Sequence, residues 1–175
     1  MNEFLIVVDM QNDFVNGALG SADAVDIVPR VCEVIRDFKG EVIYTRDTHT
    51  DGYLETNEGK NLPVVHCVKD THGWELNPDV ASLAGGAKII DKPTFGSFEL
   101  CEYLAKRDEK TRIDRITLVG LCTDICVLSN AIMLKAALPE AEIRVDASAC
   151  AGVSVSAHRA ALASMKSCQI KIDNE

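Results

Sequence analysis

Residues 116–126 read Ile116-Thr117-Leu118-Val119-Gly120-Leu121-Cys122-Thr123-Asp124-Ile125-Cys126. The first four form the most strand-like run in the chain, β-branched and apolar, and Gly120 ends it. From Asp124 to Leu138 the residues keep a largely apolar helical pattern, which Pro139 stops. A buried strand therefore hands over to a helix N-terminus at the two cysteines. A thiol at that junction is held by rigid backbone and lies in the positive end of the helix field, which favours thiolate. The same position also suits a small apolar thiol that serves only as core.

Working outward, short runs rich in Val and Ile alternate with stretches of helical period. The expected strands are Phe4–Val8, Glu41–Thr45, Lys88–Ile90, Ile116–Val119, Glu142–Val145 and Gln169–Ile172. Between them, Ile27, Val31, Val34, Ile35 and Phe38 share one helical face, with Pro29 in the first turn. A second helix is expected over 98–106 with Ser97 as N-cap, a third over 124–138 and a fourth over 156–166. This alternation predicts an α/β fold in which helices cover both faces of a mostly parallel six-stranded sheet, a three-layer, Rossmann-like arrangement. At 175 residues, with neither a linker nor an internal repeat, the chain reads as a single domain over 1–175. The segment from Arg46 to Asp70 has no clear period, and a stretch of that length inside a compact domain is usually functional.

The net charge is −9, from 18 Lys and Arg against 27 Asp and Glu, and no basic block offsets it. Nucleic acid and anionic membrane are therefore poor partners. No run of 18 apolar residues occurs, and Phe4 is not preceded by a basic leader, so a cytoplasmic protein is expected. The seven cysteines are an odd set without a CxxC pair and read as free thiols in a reducing compartment. The glycines form neither GxGxxG nor GxxxxGK[ST], and GxSxG and HExxH are missing as well.

In open α/β sheets, ligands bind outside the C-terminal ends of the strands. Asp9, Lys92 and Cys126 all fall there. An aspartate can take the thiol proton, a lysine can hold carboxylate and thiolate together, and the sulfur can attack an acyl carbon. Taken singly, Asp9 also suits a strand-end turn and Lys92 a surface lysine. A second group, Asp47, His49, Glu58 and His66, offers two imidazoles with carboxylates, a donor set for Zn²⁺ first and for Mn²⁺ or Fe²⁺ next. Its bland alternative is a solvated acidic loop. Phe14, Leu19, Trp74, Phe95 and Phe98 serve either as an apolar pocket wall or as core, while His72 and His158 read as surface or packing residues.

Five stretches in order carry a family resemblance: Leu5 to Phe14 (LIVVDMQNDF), Thr45 to His49 (TRDTH), His66-Cys67-Val68, Lys92 to Phe98 (KPTFGSF) and Gly120 to Cys126 (GLCTDIC). Together they resemble the isochorismatase-like cysteine hydrolases, nearer the nicotinamidase branch than the isochorismatase branch. The resemblance implies a triad of Asp9, Lys92 and Cys126. It also implies a non-proline cis peptide at Leu121-Cys122 that turns the amides of Cys122 and Cys126 toward the substrate oxygen as an oxyanion hole. Asp47, His49 and His66 become metal ligands, and Glu58 stands where some members use a carboxylate as fourth ligand. Nicotinamidases commonly carry Trp-Pro before the metal histidine, whereas this chain reads Asn61-Leu62-Pro63-Val64-Val65-His66. An aromatic wall from Phe14, Tyr53 or Trp74 would replace it, with Leu19, Phe95 and Leu121 completing the pocket.

The expected function is metal-assisted hydrolysis of a small-molecule amide, nicotinamide to nicotinate and ammonia foremost. The alternatives are another small amide or carbamoyl compound as substrate, or a non-catalytic ligand-binding or scaffold homo-oligomer. A homodimer or larger homo-oligomer is expected, with the apolar helix near Met133 as one contact.

Overall fold

The computed structural model describes residues Met1–Glu175. Strands β1 (Glu3–Val8), β2 (Glu41–Asp47), β3 (Lys88–Lys92), β4 (Arg115–Leu121), β5 (Glu142–Ala151) and β6 (Lys171–Asp173) form one sheet in the order β3-β2-β1-β4-β5-β6. Every pairing between these strands is parallel. The helices are α1 (Asn12–Val15), α2 (Ala22–Asp26), α3 (Val28–Asp37), α4 (Asn57–Asn61), α5 (Pro78–Ala84), α6 (Phe98–Asp108), α7 (Leu128–Ala137) and α8 (Val155–Ser167). None is long and apolar enough to cross a membrane.

The continuous apolar run of β1 follows from its place between β2 and β4, where both faces are covered. Phe4, Ile6 and Val8 pack into one cluster with Leu100 and Leu104 of α6, Leu134 of α7 and Met165 of α8. Leu5 and Val7 point the other way, into a cluster with Phe14 of α1, Ala24 of α2, Val31 and Ile35 of α3 and Val80 of α5. These two cores make the three layers.

The strand order reverses between β1 and β4, which opens a crevice at their C-terminal ends. Gly120 lies opposite Val8 there with φ 118°. A Cβ at this position would fall 2.1 Å from the Val8 carbonyl oxygen, so only glycine lets the two strands close up beside the crevice.

The elements depart from the sequence expectation in three places. β5 runs on to Ala151 rather than stopping at Val145, and its pairing with β4 shifts register between Leu118 and Gly120. Asp146-Ala147-Ser148 lies where that pairing is interrupted, and the Asp146 carboxylate accepts from the amide and hydroxyl of Ser148. Small residues from Ala147 to Ala151 hid this second half, because they lack the β-branched signature. The third helix begins as a π-turn over Thr123–Val127 and becomes α-helical only at Leu128. Finally, α1, α2, α4 and α5 are each 4 to 7 residues long, too short to show a hydrophobic period. Side-chain caps from Ser21, Thr56 and Asn77 start three of them.

Tyr44 on β2 is fully buried, and its hydroxyl has no hydrogen-bond partner. Burial pushes its pKa up to about 12. Such an orphan costs free energy. The Tyr44→Phe variant should therefore gain about 1 kcal/mol of stability in urea unfolding. A loss of that size would instead reveal a partner for the hydroxyl.

Candidate active site

Each chemically important side chain leaves the C-terminal end of a strand or the turn beyond it. Asp9 follows β1 with φ 48°, a left-handed conformation that aspartate tolerates better than most residues. Asp47 and Lys92 are the last residues of β2 and β3 and pair with each other in the parallel register. Cys126 lies in the π-turn after β4, and the peptide Leu121-Cys122 is cis.

Lys92 is the hub. Its Nζ lies 2.7 Å from Asp9 Oδ2, 3.4 Å from Cys126 Sγ and 3.4 Å from Asp47 Oδ1, and it donates to the Thr94 carbonyl at 3.1 Å. Both Asp9 and Lys92 are buried, at 0% and 1% exposure. Asp9 Oδ1 accepts from the Thr45 hydroxyl at 2.6 Å. Oδ2 carries the ionic contact and no aligned hydrogen bond, which leaves that oxygen open to accept a proton. Burial raises the Asp9 carboxyl above its ordinary range against the pull of Lys92. Burial opposes the charge on Lys92, yet Asp9, Cys126 and Asp47 around it hold its pKa above the usual lysine value.

The thiolate expectation needs correction. Burial and the neighbouring Asp9 push the Cys126 thiol well above its ordinary value, and Lys92 only partly opposes them. A buried sulfur facing a carboxylate loses more from desolvation than the turn's field returns. Asp9 stands beside this sulfur as the carboxylate able to exchange a proton with it.

Asp47, His49, Glu58 and His66 place one donor atom each within 4.8 Å of one another. His49 Nε2 is 2.9 Å from Asp47 Oδ2 and 3.5 Å from Glu58 Oε1, and His66 Nε2 is 3.5 and 3.9 Å from the same two oxygens. Donors bound to Zn²⁺ at about 2.0–2.2 Å stand about 3.3 Å apart in a tetrahedron, within the spread seen here. His66 Nδ1 donates to the Val64 carbonyl at 2.7 Å, which leaves Nε2 as the lone pair aimed at the cluster. Burial and Asp47 both raise the Glu58 carboxyl, against the pull of His49, His66 and Lys92. The group is thus able to chelate a divalent metal. Asp47 serves both halves of the site, with Oδ1 toward Lys92 and Oδ2 toward the histidines.

A cavity of about 330 Å³ opens beside these groups. Asp47, Glu58 and His66 border it on the metal side, and Cys122 and Cys126 on the thiol side. Phe14, Leu19, Phe95 and Leu121 line it as the sequence suggested. Tyr53 and Trp74 do not. The Tyr53 ring packs on His49 and His66 with centroids 4.6 and 4.9 Å away, and its hydroxyl donates to the Leu62 carbonyl, so it braces the histidines from behind. Trp74 donates to Thr48 Oγ1 and carries the Arg46 guanidinium on its face. Leu62, Ile125 and Val153 add aliphatic wall, and small residues, Ser21 among them, complete it. Of the other histidines, His72 is exposed, whereas half-buried His158 meets the Thr123 hydroxyl at 2.8 Å.

Gln11 to Asp13 lie within the first motif, and their tasks emerge only from their partners. Gln11 is fully buried, and its Nε2 donates to the carbonyls of Asp47 and Trp74 while its Oε1 accepts from the Asp47 amide. It clamps the end of β2. Asp13 Oδ2 accepts from the Cys67 amide at 2.7 Å and fixes the backbone next to His66. The available signal was three consecutive polar residues, separated by Asp9 and Met10 from the apolar run Phe4–Val8.

A buried Asp-Lys-Cys network beside a metal-chelating cluster defines a cysteine-dependent amidohydrolase site on an open parallel sheet. The chain matches the isochorismatase domain over residues 3–174 and belongs to that family. It is 28% identical to the nicotinamidase/pyrazinamidase of Mycobacterium tuberculosis, the match covering 96% of each chain. The pyrazinamidase of Pyrococcus horikoshii, solved in complex with zinc, superposes with TM-score 0.80 at 33% identity over 98% of both chains. The nicotinamidase of Bacillus subtilis superposes with TM-score 0.84 at 27% identity, covering 99% of this chain and all of that one.

Proposed function

We propose that this chain hydrolyses nicotinamide to nicotinate and ammonia, with Cys126 as nucleophile, Asp9 as proton carrier and Lys92 as the cation between them. The observation that carries this reading is the chemistry of the cavity walls. Donors for a metal stand on one side, the thiol on the other, and apolar side chains lie between, with neither Lys nor Arg among the lining residues. A neutral ring with a polar atom at each end suits such a space. A substrate carboxylate directed away from the metal donors would find no Lys or Arg among the lining residues to pair it, which disfavours isochorismate-like diacids.

In the first half-reaction, Asp9 takes the Cys126 proton and the sulfur adds to the amide carbon. Lys92 stabilises the charges that pass between them. The tetrahedral oxyanion is held by the main-chain amides of Cys122 and Cys126, which we assign as the oxyanion hole. Asp9 returns the proton to the nitrogen as the C–N bond breaks, so ammonia leaves and a thioester remains. In the second half, Asp9 takes a proton from water as its oxygen adds to the thioester carbon. The C–S bond then breaks, and nicotinate leaves as the sulfur is reprotonated. Asp47, His49, Glu58 and His66 would hold a divalent ion, zinc before manganese or iron, which would supply a Lewis acid for a basic ring nitrogen at that end of the cavity.

The test is ammonia release from nicotinamide, pyrazinamide, benzamide and a panel of carbamoyl compounds, with and without chelator. Nicotinamide should be turned over well and benzamide, which lacks the ring nitrogen, poorly. Chelation should lower the nicotinamide rate by about 100-fold or more, and added zinc or manganese should restore it. Faster release from carbamoyl compounds, or indifference to the chelator, would overturn this substrate assignment.

A further inference from the structure

The segment from Pro93 to Ser97 carries two working parts of the site: the Thr94 carbonyl, which receives a proton of Lys92 Nζ, and Phe95, a wall of the cavity. Its own tethers are few. Thr94 Oγ1 bonds back to the Gly96 carbonyl within the segment, and beyond Lys92 the hydrogen bonds of residues 93–96 lead to one side chain, Asn130 of α7. Asn130 is 0% exposed. Its Nδ2 donates to the Phe95 carbonyl at 3.1 Å and to the Cys126 carbonyl at 2.8 Å, and its Oδ1 accepts from the Ser97 amide at 2.9 Å.

An amide in the middle of a packed helix face is costly unless each end finds partners, and an aliphatic side chain would fill the space without that demand. Three bonds that join two segments of the active site, the Pro93–Ser97 loop and the Cys126 turn, give the amide a reason to be there. We infer that Asn130 is a positioning residue that locks the Lys92–Ser97 loop to the nucleophile turn, so that Lys92 stays aimed at Cys126 and Phe95 stays in the cavity wall. The chain of contacts is short. Asn130 holds the Phe95 carbonyl, the preceding carbonyl of Thr94 holds Nζ, and Nζ stands 3.4 Å from Sγ. On the opposite side the same amide holds the carbonyl of Cys126 itself. Both the cation and the sulfur are thereby referred to one rigid group on α7. Small misplacement of either group costs rate, because a reaction of this kind depends on near-contact geometry.

This inference rests on the proposed roles of Lys92 and Cys126, and its test has one arm that needs no substrate. Asn130→Ala removes all three bonds. Asn130→Ser keeps a hydroxyl able to bond the Cys126 carbonyl one turn back while releasing the loop, and so preserves the helix if the alanine variant folds poorly. Two quantities are measured well below the unfolding midpoint: nicotinamide kcat and KM per iodoacetamide-reactive Cys126, counted by peptide mass spectrometry, and the rate at which iodoacetamide labels Cys126. A role limited to stability lowers the number of reactive sites and leaves each remaining site normal. Positioning predicts that kcat per reactive site falls on the order of tenfold and KM rises as Phe95 loosens, with labelling slowed several-fold because Lys92 no longer supports the thiolate. Wild-type values per site in either the turnover or the labelling arm would overturn the inference. If the wild-type protein itself leaves nicotinamide intact, the substrate assignment fails while the labelling arm still decides the role of Asn130.

Discussion

Cys126→Ala should release ammonia from nicotinamide about 10⁴-fold or more slowly than the wild-type protein, while its fold and metal content stay unchanged. The substitution removes one sulfur from a site only 4% exposed and leaves Asp9 and Lys92 paired, so the buried charges remain balanced. What is lost is the covalent route. Water entering in place of the sulfur meets the same carboxylate and ammonium, but it lacks the sulfur's nucleophilicity and fixed position. A rate within tenfold of wild type would mean that the thiol is ordinary core, the alternative its sequence context left open.

Lys92→Met should be costly to both stability and rate. It removes the only ammonium in contact with Asp9 and Asp47, carboxylates that are 0% and 2% exposed. Breaking a buried ion pair from one side costs about 3–5 kcal/mol, because the uncompensated charge stays behind. Turnover should fall by about 10²- to 10³-fold, since the proton passed from sulfur to carboxylate then lacks its stabilising cation. The pH dependence has a definite sign. Burial already raises the Asp9 carboxyl, and without Lys92 it rises further, so the folded state binds a proton more tightly than the unfolded one. The stability deficit should therefore shrink as pH falls from about 8 toward about 5. Chemical denaturation across that range checks it, and a deficit that grows on acidification would contradict the assignment of Lys92 as the partner of Asp9.

The sheet was legible because its strands are fully buried and carry continuous Val and Ile runs, as β1 and β4 show. Asp9, Lys92 and Cys126 stand out in the sequence because each lies at or just beyond the C-terminal end of such a strand. Spacing also marked the metal group, since Asp47 and His49 lie two apart at the end of β2. The pocket wall was less accessible. Phe14, Tyr53 and Trp74 were the candidates to replace the missing Trp-Pro wall; Phe14 lines the cavity, whereas Tyr53 and Trp74 brace other groups. Leu62, Ile125 and Val153 took the wall instead, placed there by loop paths that no hydrophobic period encodes. The state of the thiol was misjudged for a related reason. A helix terminus can be read locally, whereas the burial of Cys126, and after it the carboxylate 117 residues earlier, depend on how β1 and β4 meet. The clamps from Gln11 and Asn130 were hidden likewise, because a buried amide reveals its purpose only through its partners.

The most direct test of covalent catalysis by Cys126 is to run nicotinamide turnover in the presence of hydroxylamine. A thioester partitions between water and the added nucleophile, so the wild-type protein should yield nicotinohydroxamate alongside nicotinate, and rapid acid quench should show a nicotinoyl group on the peptide that contains Cys126. Ammonia release accompanied by nicotinate alone, with neither hydroxamate nor a labelled peptide, would mean that water attacks the amide directly and that the sulfur is not the nucleophile.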